Sequence, residues 1–319
     1  MALRNAKASY ATRKPAPGRT LPFGRILRSA AGTLLATRSL VMLRPLLVAA
    51  LLVSLAEPLR AQPPAGGPPQ GAGDPDTRVD LLQPDFTLIA LPTTLRLPSG
   101  KWAFRVTHRF TRDLTEGNLG DQLSNLFGLD GGSLVGLEVR YGLRPGTQVS
   151  LHRTSDKAIQ LLAQQSILDE GDDGRFGLDA VATIEGADNL SEHVRGVFGA
   201  LFSKRLTRAA VYAEPMVVLN ANPLDAGDEH TLLLGLGGRF RVSESMYVVT
   251  DFTPRLAGYS PDAHQVSFGV ESRRGGHLFQ VTVSNGFGTT FGQLARGGRA
   301  YDQWFLGFNI SRKFYRPAR

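Results

Sequence analysis

The chain contains no cysteine, only two tryptophans and four methionines in 319 residues. The absence of cysteine excludes disulfides, thiolate metal sites, c-type haem attachment and a lipidated N-terminal cysteine. It also suits an exported protein, which then cannot mispair thiols in an oxidising compartment. Clusters of Lys/Arg interleaved with aromatics are lacking too, so the +8 formal charge and a pI near 10 do not point to nucleic acid. Many basic residues precede residue 61, and others stand singly in alternating stretches. No two of the six histidines are spaced i, i+4 or i, i+2, so no metal site is expected, and nothing calls for a cofactor.

What is present begins with targeting. Residues 1–41 are Arg-rich and free of acids, a composition similar to an organelle transit peptide. A better-formed signal follows: Met42-Leu43-Arg44 as a positive n-region, Pro45 to Ala56 as an apolar core, and Ala61 before Gln62 as the cleavage position. That core is too short for a permanent membrane helix. The expectation is an N-terminal extension and secretory signal peptide over 1–61, with translation starting at Met42 and Leu59 atypical at the −3 position. The Pro/Gly-rich run QPPAGGPPQGAGDPDTR cannot bury enough surface to order itself, so 62–80 is expected to be a disordered linker. Residues 81–100 read as a periplasmic lead-in to a barrel over 101–315.

The barrel rests on alternation. In KWAFRVTHRF, Trp102, Phe104, Val106, His108 and Phe110 share one side of an extended strand, and Lys101, Ala103, Arg105, Thr107 and Arg109 share the other. About twelve such segments follow one another, near 101–111, 133–142, 147–154, 157–166, 175–185, 194–203, 208–219, 231–242, 245–255, 264–272, 277–285 and 303–314. The segment 194–203 is ambiguous, with small and apolar residues on both faces. No amphipathic helix is needed.

Loop lengths make a separate argument. The connections at 144–146, 204–207, 243–244 and 273–276 are tight, whereas 112–132 and 286–302 are long and 220–230 and 256–263 intermediate. Long loops fall on odd-numbered connections and tight ones mostly on even, the plan of an outer-membrane barrel and not of a soluble sandwich. The short connection at 155–156 and the longer acidic one at 167–174 fit less well. The expected fold is therefore an all-β, transmembrane, antiparallel up-and-down barrel in the bacterial outer membrane.

In such a barrel Lys101, Arg105, Arg109, Glu138, Arg140, Asp179, Glu214, Arg239, Arg241, Asp251, Arg255 and Glu271 point inward, because one charge at mid-membrane costs roughly 2–4 kcal/mol. All but Lys101 are candidate lumen-lining residues. The last strand, with Trp304, Leu306, Phe308, Ile310 and Phe314 alternating, resembles the signal read by the barrel-assembly machinery, although Arg312 and the trailing Tyr315 to Arg319 depart from it.

The stretches TTLRLPSGKWAFRVTHRF, NLFGLDGG and GLEVRYGLRPGTQVSLHRTSDKAIQLLAQQ resemble an uncharacterised membrane-bound β-barrel family, a domain of unknown function. The matching positions are His108-Arg109-Phe110, Phe127-Gly128, Tyr141-Gly142 and Arg153-Thr154-Ser155-Asp156-Lys157, and the resemblance covers Thr93 to about Gln165 by motif and the rest by strand pattern only. It implies an outer-membrane barrel and brings no reaction, ligand or catalytic residue.

An outer-membrane phospholipase would need a His-x-Ser-Asn-Gly motif. Here Ser284-Asn285-Gly286 ends a strand, but Thr282 stands at the position of the base, so the hydroxyl is not activated and the run reads as turn chemistry. The expectation is no enzyme and no catalytic residue. Gly235-Leu236-Gly237-Gly238 lacks the helix a nucleotide loop requires, and its glycines instead bend the sheet or make room in the lumen. The inward charges allow two readings: a salt-bridged, largely occluded interior, or a narrow pore whose Arg excess favours anions. The expected role is structural or a narrow channel for small solutes, with a scaffold for a periplasmic or surface protein, or a lipid hydrolase, as alternatives. Outer-membrane lipid is the expected surroundings.

Overall fold

Residues 80–129, 131–170, 176–222 and 230–314 are described by a computed structural model. The expectations for the signal peptide over 1–61 and for the linker up to residue 79 lie outside these residues.

The strands are β1 (Trp102–Asp113), β2 (Ser133–Arg144), β3 (Thr147–Thr154), β4 (Ile159–Leu168), β5 (Gly177–Ala187), β6 (Glu192–Arg205), β7 (Ala209–Val218), β8 (Thr231–Arg241), β9 (Met246–Thr253), β10 (Arg255–Gly258), β11 (Gln265–Arg274), β12 (His277–Ser284) and β13 (Phe305–Lys313). Each is antiparallel to its neighbours, and β1 pairs with both β2 and β13, opposing Val106 to Leu137 and to Ile310. The ring closes where β8 meets both β9 and β10. Those two are one stave interrupted at Pro254, which has no N–H to give the ladder, so the thirteen strands make twelve staves. Closure leaves no edge, as a membrane requires.

Strand bounds agree with the alternation to within a few residues. One addition is a short helix, α1 (Leu119–Ser124), in the 114–132 connection, capped by Asn118 and Asp121 in a reciprocal capping box. The connections at 145–146, 206–208, 242–245 and 275–276 lie at the rim where β1 starts; 114–132, 219–230 and 285–304 lie at the other.

The outward face is apolar. Leu137, Val139, Leu151, Leu161, Ile184, Phe198, Phe240 and Val281 are all exposed large side chains on the strands. Leu151 sits between Val139 and Leu161 on the neighbouring strands. Leu151→Arg is expected to cost roughly 2–4 kcal/mol in urea unfolding from lipid vesicles, with the smaller end of that range if the site lies nearer an interface. An unchanged midpoint would mean that this face does not meet hydrocarbon.

The inward face is not lined by ionised residues alone: Leu201 and Val197 on β6, Met216 and Tyr212 on β7, Leu233 on β8 and Val249 on β9 also point in and are buried. This is why the 194–203 segment is apolar on both faces. One wall of the lumen is an oily socket, and it is filled by the chain itself.

Candidate functional site

Residues 81–100 are not a lead-in outside the barrel. From Asp80 the chain runs into the lumen, turns at Leu88–Leu91 and returns to Leu97 before β1 begins. The two arms meet at a Thr87–Pro92 bridge, with Leu88 N–H donating to the Leu91 carbonyl at 2.7 Å and Thr93 N–H to that of Phe86 at 2.8 Å. At the rim the Leu97 and Pro98 carbonyls lie against Gly142, where a Cβ would come within 2.2 Å of the Pro98 oxygen. Only glycine lets the chain cross the strand there.

No ladder partners this inserted turn, so barrel side chains take the place of water on its backbone. Lys313 Nζ donates to the Pro84 carbonyl at 2.6 Å, Arg239 Nη2 to Thr87 at 2.8 Å, Gln280 Nε2 to Leu88 at 3.0 Å, Gln164 Nε2 to Thr93 at 2.8 Å and Gln148 Nε2 to Leu95 at 3.1 Å. Arg105, Arg109 and Asn309 converge on the Ile89 carbonyl, and Asp251 accepts from the N–H groups of Ala90 and Leu91. Ser311 donates to Asp85 at 2.6 Å. Leu88, Ile89 and Leu91, at 0–1 % exposure, join the apolar socket. Gly235 and Gly237 make the room, since a Cβ on Gly237 would stand 2.2 Å from Leu88 Cδ1 and one on Gly235 about 3.0 Å from Leu91 Cδ2.

The opposite end is narrowed by the 285–304 connection, which folds inward around a short helix, α2 (Phe291–Ala295), capped by the Thr290 hydroxyl. Phe291 N–H donates to Gln160 Oε1 at 2.8 Å and Gly292 N–H to Glu185 Oε2 at 2.7 Å, so two inward strand side chains hold the first turn. Gln293 donates to Asp156, and Arg255 donates to the Leu294 carbonyl. Phe291, Leu294 and Ala295 belong to the same apolar cluster as the turn at Leu88–Leu91. Between the two long connections lies a polar hollow of about 630 Å³ lined by Arg112, Asp113, Glu116 and Arg299.

Of the candidate lumen residues, Arg105, Arg109, Glu138, Arg140, Asp179, Glu214, Arg239, Asp251 and Glu271 are buried inside. Arg241 and Arg255 are half-buried near the rims and Lys101 is exposed, so the basic excess does not reach the deep lumen. Arg239 and Glu271 form a bidentate pair at 2.6 and 2.9 Å, both side chains wholly buried. Glu138 bonds Arg140 at 2.8 Å, with Arg105 4.0 Å away. Glu214 is wholly buried, and neither carboxylate oxygen has a hydrogen-bond partner. Ser284 is buried; its hydroxyl bonds Ser267 and the Val266 carbonyl and accepts from Gly286 N–H. Among the described residues no cluster of His, Asp and Glu is arranged to hold a metal.

Charge alone misses several working residues. Gln148, Gln160, Gln164, Gln280 and Asn309 are inward neutral amides that hold the inserted segments, with Glu185 and Lys313 beside them. Their parity with Arg105 and Arg140 along alternating strands was the available signal.

The sequence pattern of a family described as "Membrane bound beta barrel domain (DUF5777)" matches residues 85–314. A comparison with curated proteins finds no match. Among solved structures, the chain is similar to the NanC porin at 10% identity and TM-score 0.46, covering 67% of this chain and 100% of that one. It is also similar to an outer membrane channel from Pseudomonas putida F1, at 12% identity and TM-score 0.42, covering 69% and 98%.

Proposed function

The chain belongs to this membrane-bound β-barrel family, and from that premise we propose that it is an outer-membrane channel for small solutes, held shut by residues 80–97. The supporting observation is how the closing segment is held. Its carbonyls and N–H groups are satisfied by lumen side chains that would otherwise face water, so it replaces solvent one hydrogen bond at a time. An element bound by exchangeable polar contacts can leave without breaking the sheet, because the staves pair with one another and not with it. A purely structural filling would have no use for this division. The outer membrane is supported by the closed ring, by the sorting of long and short connections between the rims and by the aromatic last strand.

The cysteine-free chain offers a clean test. Thr94 donates to Ser203 Oγ at 2.7 Å, so one arm of the closing segment touches β6 side chain to side chain. With Thr94→Cys and Ser203→Cys together, two thiols take the places of hydroxyl oxygens already in contact, so that oxidation can tether this arm to β6. In planar bilayers the reduced protein is expected to show discrete openings that oxidation abolishes and reductant restores. Silence in both states, with the barrel folded, would remove the channel reading and leave a structural barrel. Openings that persist after oxidation would show that residues 80–97 are not the gate.

A further inference from the structure

The turn that fills the lumen stretches one peptide unit, Ile89–Ala90, between walls of opposite charge. Its carbonyl oxygen accepts from Arg105 Nη2 at 2.5 Å, Asn309 Nδ2 at 3.2 Å and Arg109 Nη2 at 3.5 Å, from β1 and β13. Its N–H donates to Asp251 Oδ2 on β9 at 2.7 Å, and the Leu91 N–H reaches the same oxygen at 3.4 Å. Two guanidiniums on one side and a carboxylate on the other are far more charge than a neutral amide calls for. Paired guanidiniums match a carboxylate, and carboxylates match an ammonium.

A second observation points the same way. Glu214 on β7 is wholly buried with both oxygens unpartnered. It flanks the same glycine as Leu91, since a Cβ on Gly235 would meet Glu214 Cβ at 3.0 Å and Leu91 Cδ2 at 3.0 Å. Buried acceptors are almost always satisfied, so an idle carboxylate beside the turn is an acceptor that the turn itself does not use. An ammonium, with three N–H bonds, needs more acceptors than one amide N–H does.

We propose that the Leu88–Leu91 turn stands in for a free amino acid with a branched aliphatic side chain, and that the opened lumen binds such a zwitterion at these groups. The carboxylate takes the position of the Ile89 carbonyl between Arg105, Arg109 and Asn309. The ammonium faces Asp251 and Glu214. The side chain enters the socket that Leu88 and Leu91 occupy against Gly237 and Gly235, walled by Met216 and Leu233. Solute and turn then compete for one site, so the apparent affinity falls with the fraction of time the turn is in place. This inference rests on the channel reading, and the test separates the two.

Thr93 is wholly buried in the inserted segment. In a chain carrying Thr93→Cys, its single thiol reacts with a water-soluble maleimide when the segment leaves. L-leucine is expected to accelerate labelling in a saturable way. N-acetyl-L-leucinamide, which keeps the side chain and lacks both charges, is expected not to. Adding Glu214→Gln should raise the leucine concentration needed by about tenfold, the weight of one charge-assisted hydrogen bond. In case Thr93→Cys disturbs the turn, the unaltered chain gives a second readout, in which L-leucine lengthens openings by keeping the turn out and the amide does not. Indifference to leucine in both assays, or an equal response to the amide, overturns the site. If the Thr94–Ser203 tether still controls conductance in that case, the channel reading stands and only its ligand is wrong.

Discussion

A chain carrying Gly235→Val and Gly237→Val is expected to fold as a barrel and to conduct where the unaltered chain is mostly closed. Both glycines lie on the inward face of β8, at the places where Leu91 and Leu88 press on the wall. On Gly237 the first added carbon already stands 2.2 Å from Leu88 Cδ1 and 3.1 Å from the Thr250 carbonyl, and the two γ-methyls of valine must go further into the socket. Gly235 has Leu91 at 3.0 and 3.1 Å. Overpacking of this kind costs about 1–3 kcal/mol at each site. The strand itself does not oppose the change, because valine suits extended backbone better than glycine. The strain therefore falls on the inserted turn, whose polar contacts water can replace, and not on the ladder, whose contacts it cannot. Single-channel recording should show open time rising by roughly one and a half to four orders of magnitude, the summed strain of the two sites at about 1.4 kcal/mol per tenfold. The heat-dependent gel shift of a folded barrel should remain. A protein that keeps that shift and stays silent would mean that the glycines do not hold the turn in place.

The second large effect is Glu271→Leu. It leaves the Arg239 guanidinium inside the barrel with its bidentate partner gone, both side chains of the pair being wholly buried. A charge stranded in this way costs about 3–5 kcal/mol, far more than the pair contributes when intact. Gln280 loses one of its two acceptors as well, since its amide donates to Glu271 Oε1 at 2.6 Å and keeps only the Leu88 carbonyl at 3.0 Å. Removing both charges, with Arg239→Met and Glu271→Leu, should recover most of the loss in urea unfolding from vesicles. The double variant should nonetheless open more readily than the unaltered chain, because Arg239 also donates to the Thr87 carbonyl. Equal destabilisation in the single and double variants would count against a stranded charge as the cause.

Much of the barrel was legible because its cause is local. Val135, Leu137 and Val139 against Gly136, Glu138 and Arg140 determine which side of β2 meets lipid, and no distant residue can reverse that choice without placing ions in hydrocarbon. The same parity turns Arg105, Glu214, Asp251 and Glu271 inward. It extends to Gln148, Gln164, Gln280 and Asn309, which carry no charge and so were not singled out, although they grip the inserted segment beside the charged residues. The two-sided apolar pattern of β6 was visible as an ambiguity. Its meaning was not, because the residues it serves, Leu88 and Leu91, lie more than a hundred positions earlier.

Period-two alternation, loop parity and the cost of a charge in lipid are properties of neighbouring residues, and from them the amino-acid order by itself determined a closed, membrane-facing sheet. Whether the lumen is open was decided by tertiary structure alone. Residues 80–97 have no periodicity to read, and their backbone is satisfied by side chains 161 positions away at Asp251 and 220 away at Asn309. Contacts at that separation leave no local trace in the chain. They exist only once the staves have closed and brought the carboxylate, the guanidiniums and the two glycines to face the same turn.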